Sequence, residues 1–301
     1  LPVDAIEVNR RLEAMFAIAV HGGAGDWGAG PEGPVLAGVE EAARAGAAIL
    51  ARGGSALDAV VEAVRLLEDN PLFNAGTGSA LTAAGEAEMD ASVMTGSRFA
   101  CGGVACIRRV RNPVLVARRV LEEGRHVLLA GEGALAFARR CGFPDHDPVT
   151  PEQRQRWAHS SKEATAPGTV GAVALDQTGE LAAATSTGGT FLKWPGRIGD
   201  SPIPGAGNYA TPDAAVSATG RGELMLRLCA AKRVCDAVHA GRSAAEAVRE
   251  VLGEMAARLG TDAGFIAVDR NGRLGVGHLT RAMPHAVATR WRPEPVARMG
   301  A

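Results

Sequence analysis

The sequence is poor in aromatic residues, has almost no net charge and contains no long apolar run. Phe, Trp and Tyr make up 4% of the 301 residues, and the formal net charge is −1. A near-neutral chain lacks the basic surplus that is typical of proteins that bind nucleic acid or anionic membranes. No stretch approaches the roughly 18 apolar residues that a transmembrane helix needs. We therefore expect neither nucleic acid nor a membrane as a partner.

Cysteine is also sparse, and its spacing excludes the common metal and redox motifs. The five cysteines form no CxxC pair and show no metal-type spacing with histidine; they are Cys101, Cys106, Cys141, Cys229 and Cys235. An odd number of scattered cysteines predicts reduced, buried thiols and a cytoplasmic location. The first 20 residues place acidic side chains before a short apolar run with no small-residue cleavage site, which is not typical of a secretory signal.

The chain is instead rich in small apolar residues, and its patterns alternate between strands and helices. Apolar runs predict strands over 15–20, 88–94, 99–110, 169–176, 180–186, 214–220 and a hairpin over 264–279 that turns at Asn271–Gly272. Helical periodicity predicts helices over 35–51, 56–69, 112–124, 131–142, 222–239 and 243–258, with Ser55 as an N-cap. The glycines of the strand over 99–110 suggest a bulge. Together these patterns predict an α+β fold with mostly antiparallel sheet covered by helices on both sides.

A polar segment divides this pattern into two halves. Residues 143–168 are charged, contain proline and show almost no apolar periodicity, which predicts a flexible linker. The second half opens with its most apolar strand, and such a strand requires neighbours from the first half. We therefore expect one domain whose two parts are residues 1–168 and 169–301.

The junction between those parts, Gly168–Thr169, carries a specific chemical possibility. A hydroxyl one residue after a carbonyl can attack that carbonyl to form an ester, which water then hydrolyses. Gly168 has no Cβ to block the approach and tolerates a strained backbone. The new α-amine of Thr169 would titrate near ~8, so it could serve as base for its own hydroxyl. The junction is compatible with a self-cleaving chain that has an N-terminal threonine nucleophile, but a threonine after glycine is also common at the start of an ordinary strand.

Two further hydroxyl clusters support this interpretation. The segment "TSTGG" ends the partner strand of the hairpin, and the hairpin register can bring Thr187 next to Thr169. The segment "SATGRG" ends another strand, where Thr219 and the Gly220 N–H offer two donors for an oxyanion hole. In "GRIGD", Arg197 fits a carboxylate and Asp200 fits an ammonium, which is the charge pair of an α-amino acid.

Six motifs in order resemble the plant-type (type III) L-asparaginase / isoaspartyl aminopeptidase family of N-terminal-nucleophile (Ntn) hydrolases. These motifs are "HGGAG", "LFNAG", "GTVGAVALD", "AAATSTGG", "PGRIGDSPIPGAG" and "SATGRGE". The resemblance implies a four-layer αββα sandwich and hydrolysis of L-asparagine or β-aspartyl dipeptides. It also implies cleavage between Gly168 and Thr169 into an α and a β subunit, assembled as a dimer of αβ units.

The resemblance assigns roles to individual residues. Thr169 would be the nucleophile, Thr187 would position it, Thr219 and Gly220 would form the oxyanion hole, and Asn74 would support the nucleophile. Arg197, Asp200 and Gly222 would bind the substrate. No cofactor is implied for catalysis, but a structural Na⁺ would bind the backbone carbonyls of Leu67, Glu68, Asn70, Phe73, Ala75 and Thr77. The chain departs from the family at "TRAMPHA" (280–286), and Arg221 occupies a position that varies, so substrate preference stays open.

Three alternatives remain. The stretch "GAGDWG" (23–28) satisfies the dinucleotide-binding fingerprint, but glycines and prolines over 30–34 oppose the helix that this fingerprint requires. An uncleaved homologue could bind amino acids without hydrolysing them. Within the enzymes, a glycosylasparaginase-like hydrolase shares the "GRxGDSPxPGAG" stretch. His21 could act as a general base, although we expect it to pack the "HGGAG" turn.

Overall fold

The structure is a computed structural model that describes residues 15–28, 32–159, 168–260 and 262–300. Its strands are β1 (Ala17–His21), β2 (Met89–Thr95), β3 (Cys101–Ile107), β4 (Leu128–Ala130), β5 (Val170–Leu175), β6 (Leu181–Thr187), β7 (Asn208–Ala210), β8 (Ala214–Gly220), β9 (Ala263–Asp269), β10 (Leu274–His278), β11 (His285–Thr289) and β12 (Arg292–Arg298).

The helices within the same residues are α1 (Glu32–Ala51), α2 (Ala56–Asp69), α3 (Pro113–Glu123), α4 (Gly131–Arg140), α5 (Pro151–Ala158), α6 (Gly222–Leu228), α7 (Ala230–His239) and α8 (Ala244–Arg258). Ser55 caps α2 as predicted, because its hydroxyl accepts the Asp58 N–H. None of these helices has both the length and the apolar character that crossing a membrane requires.

The strands form two sheets, and their order explains why both halves of the chain are needed. The large sheet has the order β12-β11-β1-β5-β6-β2-β3-β4, and the small sheet has the order β10-β9-β8-β7. All neighbouring pairs with a described register are antiparallel except β3 and β4. Strand β5, the first of the second half, lies between β1 and β6, so the strand after the predicted cleavage point is central in the large sheet.

The two sheets stack between two helical layers. Alternate residues of β1 follow this division: Ile18 and Val20 face α1 and α2, whereas Ala17 and Ala19 face the small sheet. Strands β8 and β9 likewise bury one face against α7 and α8 and the other against the large sheet. This alternation, which follows from the two-residue period of a strand, builds the four-layer αββα sandwich that was predicted.

Three of the predicted local structures need correction. The segment 143–168 contains the helix α5, capped by Thr150, although its residues 160–167 lie outside the described part. The predicted helix over 222–239 is interrupted at Cys229, whose φ is +51°. The bulge in β3 lies at Cys106 rather than at the glycines, because the register with β2 shifts between Met89 and Ala91.

The glycines of β3 serve another purpose. A Cβ on Gly102 would lie 2.2 Å from the Ala117 carbonyl oxygen, so the strand needs glycine to let α3 approach. The five cysteines form no disulfide, as predicted, but they are not all buried, because Cys229 is exposed.

Candidate active site

The space between the sheets is apolar over most of its length and becomes polar at one end. On β1 the inter-sheet face reads Ala17, Ala19 and then His21, and on β8 it reads Ala215 and then Ser217 and Thr219. The period of two residues fixes this orientation, because side chains two apart on a strand share a face. The sequence therefore places hydroxyl and imidazole groups in the same layer as the apolar core, at the ends of its central strands.

Thr169 lies directly before β5 at this polar end and is buried. Its hydroxyl lies 3.5 Å from the Ser201 hydroxyl. Gly168 is enclosed by its neighbours, since a Cβ on it would lie 2.9 Å from Thr219 Oγ1. On its other side, a Cβ on Gly23 would lie 2.5 Å from the Gly168 carbonyl oxygen, and Gly23 has a φ of +110°. The peptide predicted to be cleaved is therefore held between the "HGGAG" turn and the end of β8.

The hairpin brings Thr187 to the same end. Because Val170 pairs with Ser186, the preceding Thr169 comes opposite Thr187. The Thr187 hydroxyl accepts the Gly189 N–H at 2.9 Å. Asn74 holds this turn, because its side-chain Nδ2 donates to the Gly189 carbonyl at 2.8 Å and its backbone carbonyl accepts the Gly188 N–H at 2.9 Å. Asn74 thus contacts the turn that follows Thr187, which is a positioning role.

Thr219 and Gly220 close the opposite side. The Thr219 hydroxyl is fully buried and accepts the Ala24 N–H at 3.0 Å, which ties β8 to the "HGGAG" turn. Gly220 has a φ of +130°, and a Cβ there would lie 2.3 Å from the Asp262 carbonyl oxygen. Both constraints require glycine. We call Thr169, Thr187, Thr219 and Ser201 the hydroxyl cluster.

A charged wall, defined as Arg197 and Asp200, lies on the loop after β6. Arg197 donates through Nε to Glu223 Oε1 at 3.0 Å and pairs through Nη2 with the same oxygen. Asp200 is buried, and its Oδ2 has no hydrogen-bond partner among the described residues. A Cβ on Gly222 would lie 2.8 Å from both Arg197 Nη2 and Asp200 Oδ1, so only glycine leaves the two charged groups accessible side by side.

Burial changes the protonation of Asp200. Desolvation raises the pKa of this carboxyl to about 7, and the nearby Arg197 charge opposes that shift only in part. A buried carboxylate with an unused oxygen favours a cationic partner, because an ammonium would restore the lost solvation. The wall therefore offers a guanidinium and a carboxyl at adjacent positions, as the sequence motif "GRIGD" predicted.

A second pair of buried charges supports the wall from behind. Lys193 Nζ donates to the Glu88 carbonyl at 2.6 Å, and Asp90 accepts the Gly199 N–H at 3.3 Å. Burial raises the pKa of Asp90 and lowers that of Lys193, while their opposite charges counteract both shifts. The loop that carries Arg197 and Asp200 is thus fixed to β2. Sequence analysis missed this support, because residues about 100 apart meet only in the folded sheet.

His21 interacts with the backbone of Thr169, but in the described part of the chain its ring is not hydrogen-bonded to the Thr169 hydroxyl. Its Nε2 lies 2.9 Å from the Ser217 hydroxyl, which in turn contacts the Thr185 hydroxyl at 2.8 Å. Burial lowers the pKa of His21 to about 3, so the ring is neutral at physiological pH. A Cβ on Gly171 would lie 2.0 Å from Ser217 Oγ, so glycine makes room for this network. The expectation that His21 packs the turn is refined: it also links β1 to β8.

Thr169 and the charged wall line one cavity of about 890 Å³. Its lining includes almost all of the predicted site residues: Asn74, Gly168, Thr169, Thr187, Arg197, Asp200, Gly220 and Gly222. Thr219 lies beneath the surface, against Gly168. Ser201 also contacts the hydroxyl cluster and was not singled out from the sequence, although it follows Asp200 directly in "GRIGDS".

The six residues predicted to bind Na⁺ lie at the end of α2 and in the loop that follows it, and they are not among the residues that line the cavity. The Thr77 N–H donates to the Glu68 carbonyl at 2.7 Å and the Phe73 N–H to the Asn70 carbonyl at 3.1 Å, so the loop folds back over the helix end. In the described part of the chain, no group of three or more His, Cys, Asp or Glu side chains is arranged to hold a metal.

The four-layer sandwich with a threonine at the start of a central strand defines the class of Ntn hydrolases. Comparison with known proteins agrees, because a family model described as "Asparaginase" matches residues 14–295. The chain belongs to this asparaginase family of hydrolases.

Its relatives carry two kinds of name. A plant-type L-asparaginase of Pyrococcus furiosus is 45% identical, covering 94% of this chain and 99% of its own length. The corresponding protein of Pyrococcus abyssi is 47% identical over the same shares. An isoaspartyl peptidase/L-asparaginase of Danio rerio is 44% identical over 85% of this chain and 86% of its own length.

Proposed function

We propose that this chain hydrolyses L-asparagine to L-aspartate and ammonia, and β-aspartyl dipeptides to aspartate and an amino acid. One observation carries the proposal: the cavity brings the hydroxyl of Thr169 together with Arg197 and Asp200. These are the groups that a nucleophile and an amino-acid binding site require. The names of the relatives, which include both asparaginase and isoaspartyl peptidase, agree with it.

The first step is self-cleavage. The Thr169 hydroxyl attacks the Gly168 carbonyl carbon, the C–N bond breaks, and an ester links Gly168 to Thr169 Oγ. Water then hydrolyses this ester and leaves a free α-amine on Thr169. The close packing of Gly168 against Thr219 and Gly23 holds the peptide in place for this attack.

The freed α-amine serves as the general base in turnover. Among the described residues, the hydrogen bond of the Thr169 hydroxyl goes to Ser201, while the nearby His21 ring is bonded to Ser217. No Ser-His type pair therefore forms at the nucleophile. An α-amine has an ordinary pKa of about 8, so roughly a tenth of it is unprotonated at pH 7, far more than of a lysine amine.

Turnover follows in two stages. Arg197 binds the α-carboxylate of the substrate and Asp200 its α-ammonium, which directs the side-chain carbonyl towards Thr169. Attack gives a tetrahedral oxyanion that Thr219 and the Gly220 N–H stabilise, and ammonia or an amino acid leaves after taking a proton from the base. Water hydrolyses the β-aspartyl ester and regenerates the threonine.

The experiment compares Thr169→Val with Thr169→Ser. Valine keeps the shape but lacks the hydroxyl, whereas serine keeps the nucleophile. Mass spectrometry of the wild type is expected to show fragments 1–168 and 169–301, and an assay should show ammonia release from asparagine. We expect Thr169→Val to remain intact and inactive, and Thr169→Ser to be cleaved and active.

Ammonia release at the wild-type rate by uncleaved protein would contradict the proposal. Assays with asparagine, β-Asp-Leu and GlcNAc-asparagine distinguish the proposed activity from the glycosylasparaginase alternative. A glycosylasparaginase would prefer GlcNAc-asparagine. An intact wild-type chain that binds amino acids without hydrolysing them would favour a binding module.

We further propose that the loop of Leu67, Glu68, Asn70, Phe73, Ala75 and Thr77 holds Na⁺ through backbone carbonyls. The negative end of the α2 dipole lies there, and a buried Glu68 Oε2 has no hydrogen-bond partner among the described residues. Carbonyl oxygens suit a hard cation, and each keeps a second lone pair after accepting one N–H. The ion would stiffen the loop that carries Asn74.

Thermal melting tests this cation site without relying on activity. We expect a higher melting temperature in NaCl than in choline chloride at equal ionic strength. Gly76→Ala should abolish the difference, because a Cβ there would lie 2.5 Å from the Glu68 carbonyl oxygen at a φ of +52°. Gly133→Ala, which meets open space on α4, is the matched control. Equal melting in both salts would contradict the proposal.

A dimer of αβ units and a cytoplasmic location complete the proposal. Light scattering of the cleaved protein should give the mass of two chains, and a monomer would contradict the assembly.

A further inference from the structure

The cavity is larger than asparagine requires. Its volume of about 890 Å³ lies near the upper end of the usual range for small-molecule sites. Beyond the charged wall, the lining continues to residues that have no part in the mechanism above: Asp26, Trp194, Arg221, Asp262, Leu279 and Arg281. The outer part of the cavity therefore offers space and charge for a group attached to the far side of the scissile bond.

A β-aspartyl dipeptide has such a group, and asparagine does not. Its leaving amino acid carries an α-carboxylate only three bonds from the carbonyl carbon that Thr169 attacks. Standard bond lengths place this carboxylate about 3–4 Å from the reacting carbon. A cation beside the oxyanion donor Gly220 would thus be within reach of it.

Arg221 occupies that position. It follows Gly220 directly, is exposed and lines the cavity. Its backbone is fixed from both sides, because its N–H donates to the Asp262 carbonyl at 2.9 Å and its carbonyl accepts the Leu224 N–H at 2.9 Å. The Cα of Arg221 is thus held in place relative to Gly220, the proposed oxyanion donor.

The pairing of the cavity's arginines distinguishes Arg221 from the others. Arg197 pairs with Glu223, and Arg281 lies 3.4 Å from Asp26. Arg221 forms no ion pair with any residue in the described part of the chain. Two carboxyls, those of Asp262 and Glu223, feel the Arg221 charge without an ion pair to it in the described part of the chain. An unpaired guanidinium facing a cavity is suited to a carboxylate, which it can bind through two parallel N–H donors.

We propose that Arg221 binds the free α-carboxylate of the residue that leaves from a β-aspartyl dipeptide, and so determines the preference for dipeptides that end at that residue. This rests on the proposed function, since it assigns a part of the same cavity to the leaving group. Asp262 opposes the binding, because its negative charge lies on the same side.

The test measures KM and kcat for three substrates: asparagine, β-Asp-Leu, and β-Asp-Leu amide, which lacks the carboxylate. For Arg221→Ala we expect KM for β-Asp-Leu to rise about tenfold. The values for asparagine and for the amide should stay within about twofold. Wild type should prefer the acid over the amide, and this preference should disappear in the variant. Asp262→Asn should lower KM for β-Asp-Leu two- to threefold.

Arg281→Ala is the matched control, because it removes an exposed arginine of the same cavity that already has a partner. Arg281→Ala should leave KM unchanged for all three substrates. The inference would be overturned if Arg221→Ala raised KM equally for β-Asp-Leu and for β-Asp-Leu amide. It would also be overturned if the wild type hydrolysed asparagine but not β-Asp-Leu. Failure of wild type on both substrates would instead overturn the proposed function and the inference with it. Gel analysis of each variant confirms that cleavage at Thr169 is complete.

Discussion

The hydroxyl cluster and the charged wall lie in one cavity but are built in different ways. The cluster stands mostly at the ends of β-strands, where pairing of β5 with β6 fixes Thr169 opposite Thr187. The wall stands on the long loop after β6, and buried ionisable groups hold it against β2. The cluster contains no ionisable side chain, whereas every member of the wall is ionisable. The proposed function thus assigns chemistry to hydroxyls fixed by the strands and recognition to charged side chains on a loop.

This contrast predicts that substitutions in the two regions affect different kinetic constants. A change in the hydroxyl cluster should lower kcat, because those groups act on the transition state. A change in the wall should raise KM, because those groups bind the ground state as well.

The largest effect is expected at Thr219. Thr219→Val removes an oxyanion donor and leaves the Ala24 N–H unpaired, so kcat should fall by about 10²–10³ with little change in KM. Thr219→Ser keeps the hydroxyl and should retain most of the activity. The rates are measured on chains that gels show to be cleaved. If Thr219→Val instead raised KM and left kcat unchanged, the assignment of the hydroxyl cluster to the chemical step would be wrong.

The next largest effect is expected at Arg197. Arg197→Met removes the carboxylate-binding guanidinium and should raise KM for asparagine about a hundredfold, which corresponds to about 3 kcal/mol. Arg197→Lys keeps the charge without the fork and should give an intermediate KM. Steady-state kinetics at several asparagine concentrations separates KM from kcat. A loss confined to kcat would contradict the assignment of the wall to binding.

Asp200 should couple binding to pH. Because its pKa in the folded protein is about 7, the carboxyl gains a proton as pH falls below 7 and loses its attraction for the substrate ammonium. KM for asparagine should therefore rise below pH 7, and Asp200→Asn should show a high KM without this dependence. A wild-type KM that is constant from roughly pH 6 to 8 would contradict the prediction.

The same carboxyl influences stability with the opposite sign. The unfolded chain releases this proton near the ordinary value of 3.8, so the folded state holds more protons between that value and about 7. The free energy of unfolding therefore falls as pH rises through this range. Above pH 7, Asp200→Asn should be more stable than wild type in urea unfolding, even though it binds substrate poorly.

The smallest effect is expected from the network behind the cluster. Ser217→Ala removes the partner of His21 Nε2 and should lower the free energy of unfolding by about 1–2 kcal/mol, with kcat changed by less than about tenfold. Since burial lowers the pKa of His21 to about 3, the unfolded state binds more protons below about 6.5, and stability should fall as pH drops towards 3. Urea unfolding at several pH values measures the effect of the substitution and the effect of pH on the free energy of unfolding. Complete loss of activity in a stable variant would show that His21 acts in catalysis.

The local patterns were sufficient to predict the β5–β6 hairpin, the Ser55 cap and the strand that ends at Gly220. They were insufficient for β11 and β12, because β11 pairs with β1 across the whole chain length and β12 is largely exposed. Helix α5 was missed because it buries no residue and so has no apolar period, although Thr150 before Pro151 is a helix-start signal.

The site shows the same limit. The motif residues of the sequence do meet in one cavity, but the contacts of Ser201, Asp90 and His21 were not predictable. Each depends on residues more than thirty positions away, and only the folded sheets and the path of the loop after β6 bring these residues together.

The position of Gly168 has a consequence for the life of the protein in the cell. In the continuous chain Gly168 lines the same cavity that a substrate would enter, packed between Gly23 and Thr219. Under the proposed function, the newly made polypeptide would obstruct its own binding site and leave the asparagine around it intact until the peptide bond is cut. Synthesis and the onset of amide hydrolysis would then be separate events in time, and the packing around one glycine would contribute to the delay between them.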